Sequence, residues 1–180
     1  MPLQKEIEYT LDDIYALPEG ERAELIDGQL YMMAAPTRRH QQMVSICHGE
    51  IYSYIKSHGG DCEVNIAPFA VFLDNETDYV EPDVTVVCDP SKLDDKGCHG
   101  APDWIIEVVS PSSRRMDYMI KLFKYRTEGV REYWVVDPDR DRVTVYSFNA
   151  DEDLEDVNEY TLRDDVPAGI YEDLTIRFEE

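Results

Sequence analysis

In the stretch at residues 103–113, DWIIEVVSPSS, the acidic Glu107 interrupts the apolar run from Trp104 to Val109. Trp-Ile-Ile-x-Val-Val is rich in β-branched residues and closed by Ser-Pro, so it reads as a strand buried on both faces. A carboxylate at its centre is expensive unless it is paired or holds a metal. Either the strand has one wet face, or a cation meets Glu107. Strand alternation puts Ile105, Glu107 and Val109 on one face and Trp104, Ile106 and Val108 on the other.

The flanking segments place this strand in a mixed fold. Upstream, YTLDD carries a Thr-x-x-Asp helix start at Thr10 to Asp13, and AELIDGQLYMM reads as a hairpin turning at Asp27-Gly28. HQQMVSICHGEIYSYIKSHGG has helical apolar spacing at Met43, Val44, Ile46, Cys47, Ile51 and Ile55, stopped by Gly59-Gly60. CEVNIAPFAVFL reads as one strand or two, broken near Pro68, and YVEPDVTVV as another. Downstream, RMDYMIKLFKYRTEGV reads as a helix ending at Gly129, with Ile120 and Phe123 toward the core and Lys121 on a flank. REYWVVD and RVTVYSF then pair across PDRD, and short strands are expected at EYTLRDD and LTIRF. This order predicts an α/β (α+β) fold, a mixed sheet with helices packed on it.

A chain of 180 residues is most simply one domain, 1–180, with the acidic segment 151–180 as a peripheral extension. No apolar run reaches membrane-span length and the N-terminus is no signal peptide, so a cytoplasmic protein with no membrane partner is expected. The four cysteines, Cys47, Cys62, Cys88 and Cys98, form no CxxC pair, so buried or free thiols in a reducing compartment are expected. The net charge of -22 repels polyanions at long range and argues against non-specific nucleic-acid binding. The charge is uneven: residues 151–180 hold twelve acids against two bases, whereas residues 104–131 hold six bases against three acids.

Glu81, Asp83 and Thr85 share a face of the preceding strand, so Asp83 and Glu107 converge if the two strands are neighbours. Two carboxylates opening onto a cleft suit Mg²⁺ or Mn²⁺, which want hard oxygen ligands. Phosphodiester hydrolysis needs an activated water and stabilisation of developing negative charge, which a metal and a nearby lysine supply. Lys121 is the candidate lysine, one helical turn after Asp117 and one before Tyr125.

VEPDVTVV, APDWIIEVVSPSSRRMDYMIKLFKY and EGVREYWVVDP together resemble the bacterial family of restriction-endonuclease-like proteins within the PD-(D/E)XK nuclease superfamily. AELIDGQL, PTRRHQQ and APFAVFL fit it too, and the resemblance covers roughly residues 8 to 148. It implies a restriction-endonuclease-like core, a central mixed β-sheet flanked by helices, and an Mg²⁺- or Mn²⁺-dependent endonuclease acting on DNA. Asp83 and Glu107 would be metal ligands, with the Val108 backbone carbonyl a further one. The superfamily usually places its lysine two residues after the second acid; that position is Val109 here, so Lys121 would take the role from the following helix. Glu24 matches an upstream acidic position and His40 a frequent histidine whose role the resemblance does not assign. Asp117 is a candidate accessory residue, and Arg38, Arg39, Arg114 and Arg115 are candidate phosphate contacts. Many nucleases of this fold act as homodimers, so that each site cuts one strand; that is an analogy from fold.

The plainer alternatives stay open. Glu107 could be a structural ion pair with Arg114, Arg115 or Lys121. The chain could be a catalytically silent binding or regulatory module of the same fold, which the net charge favours and a basic stripe along residues 114–131 would oppose. It could also hydrolyse a small phosphoester, which a pocket too narrow for a duplex would favour.

Overall fold

The computed structural model describes residues 8–74, 76–149 and 154–179; the opening residues 1–7 lie outside them. The elements begin α1 (Leu11–Tyr15), β1 (Ala23–Ile26), β2 (Gln29–Met32), α2 (Arg38–His58), β3 (Glu63–Ile66), β4 (Val71–Asp74) and β5 (Asp78–Val80). Then come β6 (Val84–Val87), β7 (Leu93–Asp94), β8 (Gly97–His99), β9 (Trp104–Val108), α3 (Lys121–Glu128) and β10 (Glu132–Asp137). The last are β11 (Arg142–Phe148), β12 (Leu154–Tyr160), β13 (Val166–Pro167) and β14 (Thr175–Ile176).

Local chemistry sets the boundaries. The Thr10 backbone N–H donates to Asp13 Oδ2 at 2.8 Å, closing the first turn of α1. Asp27 and Gly28 both have positive φ, 49° and 70°, as a two-residue hairpin between right-twisted strands requires. Thr37 caps α2 by accepting from the His40 backbone N–H at 3.2 Å, and Gly59 ends that helix.

The main sheet runs β12-β11-β10-β9-β6-β3 and is mixed, because β9 and β10 are parallel and the other pairs antiparallel. The expected alternation along β9 holds. Trp104, Ile106 and Val108 join Met43, Val44, Cys47 and Ile51 of α2 in one core, while Ile105 and Val109 join Tyr125 of α3 in a second. A second sheet, β2-β1-β5-β4-β8-β7, closes that second core with Ile26, Val71, Leu73 and Val80. Sequence periodicity gave no sign of this separate sheet, whose strands are only two to four residues long.

Three expectations are corrected. YVEPDVTVV is two strands: Pro82 has no N–H for a ladder, and the chain passes there from β5 in the second sheet to β6 in the main one. Segment 151–180 is no peripheral extension from Leu162 onward, because Leu162, Val166, Leu174, Ile176 and Phe178 complete the core beneath α2. Its residues 151–153 lie outside the described residues. The buried Glu132 carboxylate holds it there, accepting from the Gly169 and Ile170 backbone N–H groups, each at 2.9 Å. Finally, Cys62 and Cys88 form a disulfide, since the Glu63↔Val87 register brings their strand-end neighbours face to face. Cys47 and Cys98 are buried and free, as expected.

Candidate active site

Five elements meet at one end of the main sheet. The β6–β9 register pairs Val84 with Ile106, which sets Asp83, just before β6, beside the Glu107 end of β9. The Val108 backbone N–H donates to Asp83 Oδ2 at 2.8 Å, so Asp83 closes the ladder where β6 begins. His40, in the first turn of α2, sets Nε2 3.1 Å from the same Oδ2. Glu24 enters from β1, where its Oε1 accepts from the Glu81 backbone N–H at 3.1 Å. Lys121 enters from the start of α3, directly after a π-helical turn at Met116–Ile120.

Lys121 lies at the centre, 4% exposed, not on a flank. Its Nζ is 2.8 Å from Glu107 Oε1, 2.8 Å from Glu24 Oε2 and 4.0 Å from Asp117 Oδ1. Phe123, expected inside, is 58% exposed. The inward stripe of this helix is Asp117, Lys121, Lys124 and Tyr125, because carboxylates on β1, β9 and the β1–β2 hairpin supply partners that an apolar face would leave unpaired. Lys124 binds Asp27 and Asp78, each at 2.8 Å, and ties the hairpin to α3.

The cluster carries more negative charge than Lys121 can balance. Burial pushes the Glu107 carboxyl well above its ordinary range; the Lys121 ammonium opposes this, and Asp83, Glu24 and Asp117 add to it. Burial works against the Lys121 charge, but Glu107, Glu24 and Asp117 outweigh it and hold the amine well above its usual value. Burial likewise raises Asp117 to about 6, although Lys121 and the Ser113 hydroxyl, 2.6 Å away, favour its ionised form. For His40, burial lowers the pKa, and the Asp83 carboxylate, with Gln41 and the Val108 backbone, together more than reverse that.

The Asp117 value carries a pH prediction. A carboxyl whose folded pKa lies above its unfolded value costs stability as pH rises from the unfolded pKa near 3.8 to the folded one near 6. Asp117→Asn is expected to remove a fall on the order of 2–3 kcal/mol across that window. Urea unfolding of parent and variant at intervals between about pH 4 and 7 checks it.

Of the expected site residues, the structure brings Asp83, Glu107, Lys121, Glu24, Asp117 and His40 together. The Val108 backbone lies against the His40 ring. The arginines fare differently. Arg114 is tied to the buried Asp137 carboxylate by two hydrogen bonds of 3.0 and 3.1 Å, and Arg39 pairs with Glu179 at 3.0 Å. Arg38 and Arg115 are exposed. Four of the six bases along residues 114–131, Arg114, Lys121, Lys124 and Arg131, each face a carboxylate, which interrupts any basic stripe there. Sequence reasoning missed the role of Tyr125, whose hydroxyl donates to Glu107 Oε1 at 2.9 Å. It also missed the Arg22–Glu81 pair beside Glu24. Helical spacing from Lys121 pointed at Tyr125, but nothing linear pointed at Arg22, which is far from Glu81 in the chain.

Among the described residues, no three His, Cys, Asp or Glu side chains stand close enough together to hold a metal as they are. The donor set nevertheless fits a hard divalent cation. Glu107 Oε2 and Asp83 Oδ1 have no partner among the described residues, and neither is a buried orphan, so each is free to take a ligand. The excess negative charge around them favours a cation of charge two over a second lysine.

Residues 11–176 match the family model Uma2, described as "Putative restriction endonuclease". An uncharacterized protein of Synechocystis sp., slr1290, is 29% identical over 138 residues, which cover 75% of this chain and 70% of the relative. A crystal structure described as a putative nuclease belonging to DUF820, from Anabaena variabilis, matches with TM-score 0.74 and 21% identity over 94% of each chain. That likeness shows a shared fold: mixed sheets with few helices. The family match runs through the segment that packs beneath α2. The chain therefore belongs to the Uma2 family of restriction-endonuclease-like proteins.

Proposed function

We propose that the protein is a metal-dependent nuclease that hydrolyses DNA phosphodiester bonds. The observation that carries this reading is the pair of unengaged carboxylate oxygens, Asp83 Oδ1 and Glu107 Oε2, next to a buried, charged lysine. Asp83 and Glu107 would hold Mg²⁺ or Mn²⁺, with the Val108 carbonyl as a further ligand. The cation, when bound, supplies an activated water and offsets charge on the attacked phosphate. Glu24 and Glu107 take up N–H donors of the Lys121 ammonium and fix it beside Glu107, where its positive charge would stabilise phosphate oxygens as their charge grows. Glu24 acts on the lysine and not as a ligand, because both of its oxygens are already engaged.

A silent module of the same fold is the second reading. It is favoured by the interrupted basic stripe and by Lys121 already neutralising part of the carboxylate cluster. The test is cleavage of supercoiled plasmid and of single-stranded DNA, with Mg²⁺ or Mn²⁺, by the parent, Asp83→Ala and Glu107→Ala. Metal-dependent cleavage by the parent and its loss in both variants, with folding retained, supports the nuclease. A parent that never cuts either substrate, and binds no metal in calorimetry, leaves the silent module.

A further inference from the structure

We infer that Tyr125 and His40 are positioning residues, which decide the oxygen of Glu107 and of Asp83 that is offered to a divalent cation. The inference rests on the metal-dependent reading above and adds how the two ligands are held.

Both carboxylates are treated alike. Glu107 receives two donors on one oxygen, Lys121 Nζ at 2.8 Å and the Tyr125 hydroxyl at 2.9 Å, both on Oε1. Asp83 also has two contacts on one oxygen: Oδ2 accepts from the Val108 N–H at 2.8 Å and lies 3.1 Å from His40 Nε2, an ion-pair contact when the ring is protonated. In each case the other oxygen has no partner among the described residues. Two contacts on one oxygen restrain a carboxylate's rotation about its last bond more than one does; at Asp83 they come from β9 and α2, and at Glu107 both come from successive turns of α3.

Lys121 alone would not fix Glu107. Its side chain is long and its ammonium is shared with Glu24. The Tyr125 ring is fully buried and stands edge-on to Tyr133, with centroids 5.0 Å apart. The Tyr133 hydroxyl is in turn bonded to the Asp117 carbonyl at 2.9 Å, so the Tyr125 hydroxyl is aimed from behind. His40 shows the same priority from the opposite side. Its Nδ1 makes no well-formed hydrogen bond, although Gln41 and the Val108 backbone lie against the ring, while Nε2 stands 3.1 Å from Asp83 Oδ2. A histidine placed only for packing would cost less with both nitrogens satisfied.

The experiment is Mn²⁺ titration calorimetry on the parent, Asp83→Ala, Tyr125→Phe, His40→Ala and His40→Gln, with a thermal midpoint for each. Tyr125→Phe and His40→Ala are expected to weaken Mn²⁺ binding about 10- to 100-fold. His40→Gln should recover most of that loss, because its amide nitrogen reaches the place of Nε2. Cleavage by Tyr125→Phe should return toward the parent rate at saturating Mn²⁺, which a general structural defect would not allow. If the parent binds Mn²⁺ through Asp83 and both Tyr125→Phe and His40→Gln bind it as tightly, with His40→Ala no weaker, the positioning role is overturned and the metal site stands. If the parent binds no Mn²⁺, or Asp83→Ala binds it equally well, the metal-dependent reading itself falls and takes this inference with it.

Discussion

Lys121→Ala is expected to lower stability by about 3–5 kcal/mol at pH 7, the usual cost of breaking a buried ion pair on one side. The lysine is 4% exposed and stands among Glu24, Glu107 and Asp117. Its removal leaves three buried carboxylates with no cation beside them. The sign of the pH dependence follows. The Lys121 pKa is raised on folding, so its contribution is whole below the unfolded value near 10.5 and is lost only as pH rises through the folded one. Acid acts through the partners: as they take up protons, less charge is left unpaired and the loss shrinks. Lys121→Met, which keeps most of the volume, should lose nearly as much, and Lys121→Met with Glu107→Gln should recover part of it. Urea unfolding at about pH 5 and pH 7 measures all three. A loss below about 1 kcal/mol, the range of exposed pairs, would mean that the cluster is wetter than its burial indicates.

Glu107→Gln should separate function from stability. Burial holds the Glu107 pKa well above its ordinary value near 4.5, so the ionised carboxylate costs stability once pH exceeds that value. Glutamine removes that cost, and Lys121 keeps Glu24 as a partner. Stability at pH 7 is therefore expected to match or exceed the parent. Cleavage of plasmid should fall on the order of 10²–10³-fold, as expected when several kcal/mol of metal-assisted charge stabilisation is lost. Parallel loss of folding and cleavage would show instead that Glu107 is a structural ion-pair residue.

The answer to why Glu107 interrupts a buried strand has two parts. The plainer alternative, an ion pair with Lys121, is present at 2.8 Å. It uses only one oxygen of Glu107, so it does not exclude a cation on the other. Position along β9 was legible because a strand alternates with period two, and the apolar residues on each side could be assigned to opposite cores. The burial of Lys121 was not legible. In one dimension Ile120 and Phe123, three apart, mark the apolar face of the helix and leave Lys121 on a flank; the carboxylates that turn it around come from β1 and β9.

The same division runs through the chain. Local chemistry determined the hairpin at Asp27-Gly28, the length of α2 up to Gly59 and the pairing of β10 with β11, because turn residues, caps and periodicity act within a few residues. Residue identity also marked Asp83, Glu107 and Lys121 as candidates, and the family resemblance added Glu24. Only the tertiary structure decided the rest: the break at Pro82 between two sheets, the Cys62–Cys88 bond, the packing of Leu162 to Phe178 beneath α2, and the donors on each carboxylate. Those depend on contacts between residues far apart in the chain, whose strength is set by burial and geometry that no linear pattern contains.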